Sequence, residues 1–201
     1  LFQYLRSVKC VIVSFGGYWS LLPTLLAPLF RKKVYIILHG SDCASIPSLN
    51  YGNLRKPLLR LFSYCSYKLA YMLLPVRKSL MKTDNSFCQD LMPENKQGVF
   101  QFFPNLKTPF KVIPNGFDIE FWRIDKTVPK EENRFITVFS KNQFYLKGGD
   151  LIINLAKKTP NFTYVVVGSD KPKKGCVIRL IYKLILCTEF LLRVYRVQSI
   201  L

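Results

Sequence analysis

Two ionisable side chains that are rare in this chain share the tetrapeptide His39-Gly40-Ser41-Asp42. His39 is the only histidine, and Asp42 is the only acidic residue among the first 83 positions. An apolar run, Val34–Leu38, precedes them, and ligands of open parallel sheets bind at the carboxyl ends of strands. An imidazole at that place can donate or accept a hydrogen bond, and Gly40 permits close approach. So short a motif is explained more simply as a turn at Gly40 followed by a cap at Asp42.

A second candidate site lies in the segment 140–150, which contains Lys141 and Lys147-Gly148-Gly149-Asp150. The segment joins a predicted strand to a predicted helix, where backbone N–H groups and the helix dipole favour phosphate. Two lysines beside glycines could hold a pyrophosphate, although the P-loop pattern G-x-x-x-x-G-K-[ST] is absent. A solvated surface loop with Asp150 near the helix N-cap explains the segment equally well.

A third candidate is the turn Pro114-Asn115-Gly116-Phe117-Asp118, a sequence typical of a chain reversal. Its place between two regions of alternating strands and helices predicts a hinge over a cleft.

The elements that would position these residues begin with a βαβ unit. The apolar run Cys10–Phe15 predicts a strand, Ser20 a helix cap with Pro23 in the first turn, and Val34–Leu38 a second, parallel strand. The longest uncharged run, Cys10–Phe30, is 21 residues long and could span a bilayer. Its glycines and prolines favour strand, turn and helix instead.

Downstream, apolar residues at steps of three and four predict a helix over residues 53–72, with Pro57 near its first turn. A short strand at Met72–Pro75 and a short helix near residues 76–80 are predicted next. Residues 84–110 are predicted to be mostly loop, and a brief strand follows at Lys111–Ile113.

A second alternation follows, with predicted strands at Phe135–Phe139 and Phe162–Val167 and a helix at Gly149–Lys158. The chain is therefore expected to be α/β, with two Rossmann-like parallel-sheet domains joined near residues 114–134. Residues 176–201 are apolar and basic. They could form a helix on an anionic membrane, or equally a core or terminal helix.

The net charge of +18 is unevenly distributed. Up to residue 83 the chain has twelve basic residues and one acidic residue, Asp42. The resulting positive electrostatic field attracts phosphates, anionic lipid or nucleic acid. The twelve are Arg6, Lys9, Arg31, Lys32, Lys33, Arg55, Lys56, Arg60, Lys68, Arg77, Lys78 and Lys82.

The six cysteines show no metal-ligand spacing, so we expect buried, reduced thiols and a cytoplasmic protein without a Cys/His metal site.

Taken in order, HGSD after a strand, LPVRKSL, VIPNGFD, KGGD before a helix, and TYVVVG resemble the middle of a glycosyltransferase family 4 enzyme of the GT-B fold. The resemblance covers about residues 10–170 and is closest to the bacterial branch that builds cell-surface polysaccharide. It implies a retaining transferase, with neither metal nor cofactor, that moves a sugar from a nucleotide-diphosphate donor to a lipid-linked or saccharide acceptor.

The resemblance also implies roles for single residues. Lys147, with Gly148 beside it, would neutralise the donor diphosphate, and Lys141 would share that task where the family usually has arginine. His39 would act at the transferred sugar as the catalytic residue. Gly40, Asp42, Asn115 and Gly116 would line the cleft.

Its domains would be a partial acceptor-side domain (1–114), an interdomain crossing (115–134) and a partial donor-binding domain (135–201) whose tail is atypical from about residue 171. The family's paired glutamates are absent: Glu189 is the only acid beyond Asp170, and the expected partner position holds Val197. We therefore expect a fragment, truncated at both ends, that is catalytically incomplete.

The basic amino-terminal half suits peripheral contact with the inner face of the cell membrane. A non-enzymatic basic module that binds anionic membrane or nucleic acid remains an alternative, although no motif for specific nucleic-acid recognition is present. A further alternative is that the chain is a degenerate fragment without independent function.

Overall fold

The computed structural model describes residues 2–83, 95–123, 127, 129, 131–139, 144 and 146–168. The chain divides into two compact units, Leu1–Arg123 and Ile124–Leu201. In its described part the first unit combines α-helices with a three-stranded parallel sheet, and the second combines one α-helix with a two-stranded parallel sheet, so the α/β class is confirmed. The boundary between the units falls within the crossing predicted at residues 115–134.

The first unit contains nine α-helices and β-strands in its described part, besides short 3-10 turns. In chain order they are α1 (Phe2–Ser7), β1 (Cys10–Ser14), α2 (Tyr18–Leu26), β2 (Lys33–Leu38), β3 (Ala44–Ser45), α3 (Pro57–Leu69), β4 (Met72–Pro75), β5 (Lys96–Gln97) and α4 (Val99–Phe102). Strands β1, β2 and β4 form a parallel sheet in that order, with Cys10 opposite Lys33 and Tyr35 opposite Met72. The predicted βαβ unit is confirmed.

The predicted start of α2 is wrong. Ser20 lies inside the helix, where its hydroxyl accepts a hydrogen bond from Gly17 N and donates one to Gly17 O. The Ser20 hydroxyl thus accepts a hydrogen bond from the N-cap amide of Gly17, and it does so from the third position of the helix rather than from the cap position. Pro23 accordingly falls in the second turn, where its missing N–H leaves one helix carbonyl without its usual donor.

The segment predicted to be mostly loop, residues 84–110, also contains two short elements in its described part, β5 and α4. Val99 and Phe103 are buried there, in the same core cluster as Leu73. Residues 84–94 lie outside the described part.

The chain after α4 runs beside β4, although Lys111–Ile113 is not a regular strand. The amide of Leu73 donates to Pro109 O, Lys111 N donates to Leu73 O, and Ile113 N donates to Pro75 O. This is the pattern of a parallel neighbour, so the segment extends the edge of the sheet.

The core of the first unit lies on one face of this sheet. Val34, Ile36 and Leu38 alternate along β2 and are buried, as expected for one side of a pleated strand. Tyr67 of α3 and Ala27 just after α2 belong to the clusters that cover them. Helices α2 and α3 therefore lie side by side on the same face.

The described part of the second unit is a βαβ arrangement of β6 (Arg134–Val138), α5 (Gly149–Lys158) and β7 (Thr163–Val167). β6 and β7 pair in parallel, with Arg134 opposite Thr163. The helix has the predicted bounds, and both strands begin within one residue of prediction. The tail predicted to be atypical from about residue 171 lies outside the described residues.

No helix of the described ranges is both long and apolar enough to cross a bilayer. The predicted membrane-length run Cys10–Phe30 instead forms β1, α2 and a final turn, as its glycines and prolines indicated.

Candidate functional site

The carboxyl edge of the first sheet brings His39 against the last residue of β1, Ser14, and the residue after it, Phe15. The Ser14 hydroxyl lies 3.0 Å from His39 Nε2, within hydrogen-bond distance. The ring of Phe15 lies 4.2 Å from the imidazole, centroid to centroid, at a tilt of 32°. The half-exposed imidazole is therefore held on two sides by the turn that leads into α2.

Phe15 reaches the imidazole because its backbone is left-handed, with φ at 65°. Such a conformation costs a bulky residue about 1 kcal/mol or more, so surrounding contacts must maintain it. Phe15 N donates to Ile37 O, and Trp19 Nε1 donates to Phe15 O at 2.9 Å. These two hydrogen bonds hold the residue from both sides.

Asp42 serves the architecture of this edge rather than an open cleft. Its carboxylate is fully buried and accepts hydrogen bonds from Gly40 N at 2.8 Å, Gly16 N at 3.0 Å and His39 N at 3.1 Å. The side chain predicted to line a cleft therefore ties the end of β1 to the end of β2. Gly40 is buried too, and its φ of 146° aims its N–H at this carboxylate.

Neutral groups enclose the Asp42 carboxylate. Burial raises the pKa of the Cys43 thiol well above its ordinary value, and the Asp42 charge raises it further. Burial likewise raises the pKa of Tyr67, whose hydroxyl donates to Asp42 O at 2.7 Å. Both groups therefore stay protonated at neutral pH, and no second negative charge develops beside the carboxylate.

Gly16 is required at this edge by space. A Cβ placed on it would lie 2.1 Å from the hydroxyl oxygen of buried Tyr67. The tyrosine cannot withdraw without breaking its hydrogen bond to Asp42.

Asn115 and Gly116 follow the segment that pairs with β4, so they leave the sheet at the carboxyl edge shared by His39. Both are exposed, and a Cβ on Gly116 would meet nothing within 4 Å. The turn is closed by Asp118, whose Oδ1 accepts hydrogen bonds from Glu120 N and Phe121 N. That these residues line a cleft stays a prediction.

Lys147 and Gly148 precede α5 in the second unit. Gly148 caps the helix with φ at 80°, a left-handed conformation that suits glycine. Gly149 is buried against Phe144, whose ring would lie 2.4 Å from an added Cβ. Lys147 is exposed beside this fixed turn. Lys141, predicted to share the diphosphate, lies outside the described residues.

The geometry limits what the Ser14–His39 pair can do. A hydroxyl beside an imidazole resembles a nucleophile and its base, but acyl transfer also needs donors for the developing oxyanion. The amides of Gly16, Gly17, His39 and Gly40 already donate to Asp42 or Ser20. The pair is therefore better suited to hydrogen-bonding a polar ligand than to activating a nucleophile.

Sequence reasoning missed Ser14 and Phe15. Their signal was available, because Cys10–Phe15 and Val34–Leu38 were predicted as parallel strands whose carboxyl ends share one edge. The predicted burial of the cysteines is confirmed for Cys43 only: Cys10 is exposed and Cys65 half-buried, both as free thiols. Cys88, Cys176 and Cys187 lie outside the described residues.

Within the described ranges, no group of three or more His, Cys, Asp or Glu side chains is arranged to hold a metal ion. A groove of about 510 Å³ lies at the opposite, amino edge of the sheet, between the end of α3 and the chain leading to Pro109. Lys68 and Lys107 contribute to its lining.

Comparison of the chain with protein-family models, curated proteins and solved structures gave no match.

Proposed function

We propose that the chain is a retaining glycosyltransferase of the GT-B type, with two Rossmann-like domains, that takes a sugar nucleotide as donor. The observation that carries the proposal is the position of His39. It is half-exposed at the carboxyl edge of a parallel sheet, with its imidazole oriented by Ser14 and Phe15. That edge is where open α/β sheets bind ligands.

In this proposal His39 hydrogen-bonds the transferred sugar, while Asp42 keeps the loop in shape. Lys147, with Lys141 and Gly148, neutralises the diphosphate as it leaves, so neither metal nor cofactor is needed. The acceptor is a saccharide or a lipid-linked saccharide, and the reaction takes place in the cytoplasm. Because Glu189 is the only acid beyond Asp170, we expect donor binding without efficient transfer.

Thermal unfolding in the presence of UDP, GDP or ADP tests the proposal. A nucleoside diphosphate that binds only the folded protein raises Tm. We expect one of the three to do so, and we expect Lys147→Ala to abolish the shift. Lys157→Ala is the matched control, since it removes the same charge from an exposed lysine at the other end of α5.

Two outcomes would count against the proposal: no Tm shift with any nucleoside diphosphate, or an equal loss of the shift in both variants. Sugar transfer by the unmodified chain that vanishes in Lys147→Ala would instead contradict the expected incompleteness.

A second candidate function is a basic binding module without enzymatic activity. The supporting observation is that Asp42, the only acid up to residue 83, is buried with its charge satisfied internally. The described surface of that stretch thus carries cations alone. Salt-dependent binding of RNA or DNA, without any response to nucleoside diphosphates, would favour this function.

A further inference from the structure

Helices α2 and α3 bury mainly hydroxyl residues and expose leucines, which is the reverse of an ordinary surface helix. The residues that α2 buries are Ser20 and Thr24, and those that α3 buries are Ser63, Ser66 and Tyr67. A surface helix of a globular protein normally turns its apolar stripe to the core. Here small hydroxyl residues occupy most of that place, and the two helices contact each other closely, with Ser66 Oγ 3.4 Å from Gly17 O.

The outward sides of the two helices are apolar. Seven large apolar residues on them and the following turn are between 44% and 74% exposed. They recur at helical spacing and form what we call the leucine face: Tyr18, Leu22, Leu25, Leu29, Leu58, Leu61 and Leu69.

The leucine face has no charge on its α2 side, because the uncharged run Cys10–Phe30 contains the whole helix. Both helices lie on one face of the sheet, so their outward sides face the same way. Contiguous apolar surface of this kind marks an interaction site rather than scattered exposure.

Cations gather where the leucine face meets the amino edge of the sheet. Arg31 lies two positions after Leu29, and Lys68 directly precedes Leu69. Because Cys10 pairs with Lys33, the preceding residues Lys9 and Lys32 lie side by side. All but Lys32 are exposed. The Lys33 ammonium donates to the Tyr71 hydroxyl at 3.2 Å, and this hydrogen bond raises the pKa of Lys33, so it stays charged.

This combination identifies the partner by its chemistry. A second copy of the chain would bring together two surfaces that, in the described part up to residue 83, carry cations alone, and like charges repel. An anionic lipid bilayer has an apolar interior, which suits the leucine face, and a negatively charged headgroup layer, which suits the basic edge.

We propose that the leucine face and its basic edge dock on an anionic membrane surface, with the leucines inserted among the acyl chains and Arg31 and Lys68 at the headgroups. The inference does not depend on the transferase proposal, because docking is measured without nucleotide or sugar.

Co-sedimentation with vesicles tests the docking. The 201-residue chain is mixed with vesicles of phosphatidylcholine and phosphatidylglycerol, or of phosphatidylcholine alone. We expect binding to the mixed vesicles and much weaker binding to the neutral ones. Arg31→Gln and Lys68→Gln should each reduce binding to the mixed vesicles by about fivefold.

The double variant Leu22→Ser/Leu58→Ser should weaken binding by about tenfold for each leucine. Both side chains are exposed, so the folded state loses little, and the circular dichroism melting curve should be unchanged. The matched control is Ile136→Ser/Val138→Ser, which removes two apolar side chains of similar exposure, 71% and 68%, from the second unit. It should bind like the unmodified chain.

The proposal is overturned by any of three results. These are failure of the unmodified chain to bind mixed vesicles, equal loss of binding in the leucine variant and its control, and a dimer in sedimentation equilibrium that Leu22→Ser/Leu58→Ser dissociates. Nucleic-acid binding with no leucine-dependent vesicle binding would show that charge alone is used, which also overturns it.

Discussion

The turn after β2 and the turn before α5 each place glycines near the carboxyl end of a parallel strand, yet they use their charged residues in opposite ways. In the first, the Asp42 carboxylate is buried and accepts three backbone N–H groups. In the second, Lys147 is exposed, and the turn is shaped by Gly148 and by Phe144 against Gly149.

The difference shows that an unusual charge near a strand end does not identify the residue that contacts a ligand. The Asp42 carboxylate holds the backbone of the turn in place and is buried. The neighbouring His39 is the residue that remains half-exposed, with its imidazole oriented by Ser14 and Phe15. At the second turn the backbone is fixed by packing, which leaves the charge itself available. Substitutions should therefore affect stability at the first turn and binding at the second.

The largest effect is expected from Asp42→Ala. It leaves the amides of Gly16, His39 and Gly40 buried without an acceptor, at a cost of about 3–5 kcal/mol in the free energy of unfolding. Urea unfolding followed by tryptophan fluorescence measures this, because Trp19 and Trp122 both lie in the first unit. Asp42→Asn keeps one acceptor and should lose less. A loss below about 1 kcal/mol would remove the contrast between the turns.

Gly16→Ala should cost about 1–3 kcal/mol, since the new methyl group would overlap the buried Tyr67 hydroxyl. Gly116→Ala is the comparison, because a Cβ there meets nothing within 4 Å. The same urea experiment should find it close to neutral. Similar losses in both variants would indicate that space around Gly16 is not the cause.

Gly148→Ala should cost about 1 kcal/mol, because the left-handed backbone at the start of α5 disfavours a Cβ. Hydrogen exchange of the α5 amides measures the stability of this helix separately from the helices of the first unit. Gly148→Asn should recover part of the loss, since asparagine tolerates that conformation. An asparagine variant no better than alanine would argue against a backbone cause.

The smallest effect on stability is expected from Lys147→Ala, within about 0.5 kcal/mol, because the side chain is exposed. The response to nucleoside diphosphates should nevertheless disappear. If the variant unfolds as readily as Gly148→Ala, Lys147 is part of the architecture, and the two turns do not differ as described.

The strands were predictable because continuous apolar runs are typical of parallel strands, and the bounds of α5 followed from Gly149 and the spacing of its apolar residues. The start of α2 was not, because Ser20 satisfies the helix end from inside the helix. Hydrogen bonds between side chain and backbone of this kind leave no unambiguous mark in a single sequence.

Periodicity also could not show which side of a helix is buried. Leu58, Leu61 and Leu69 form the expected stripe on α3, but the structure exposes them and buries Ser63 and Ser66. Likewise, Ser14 and His39 are 25 positions apart in the chain, and they lie close together only because β1 pairs with β2. The types of residue at the site were predictable, whereas their roles depended on tertiary contacts.

The hydrogen bond from Gly16 to Asp42 spans 26 positions of the chain. It can form only after β1 and β2 lie side by side, so it closes late relative to the helices, whose contacts are local. The Gly16 amide belongs to a turn, yet its proton should exchange with solvent only when the sheet opens. Hydrogen exchange at this one glycine would therefore report the opening free energy of the first unit.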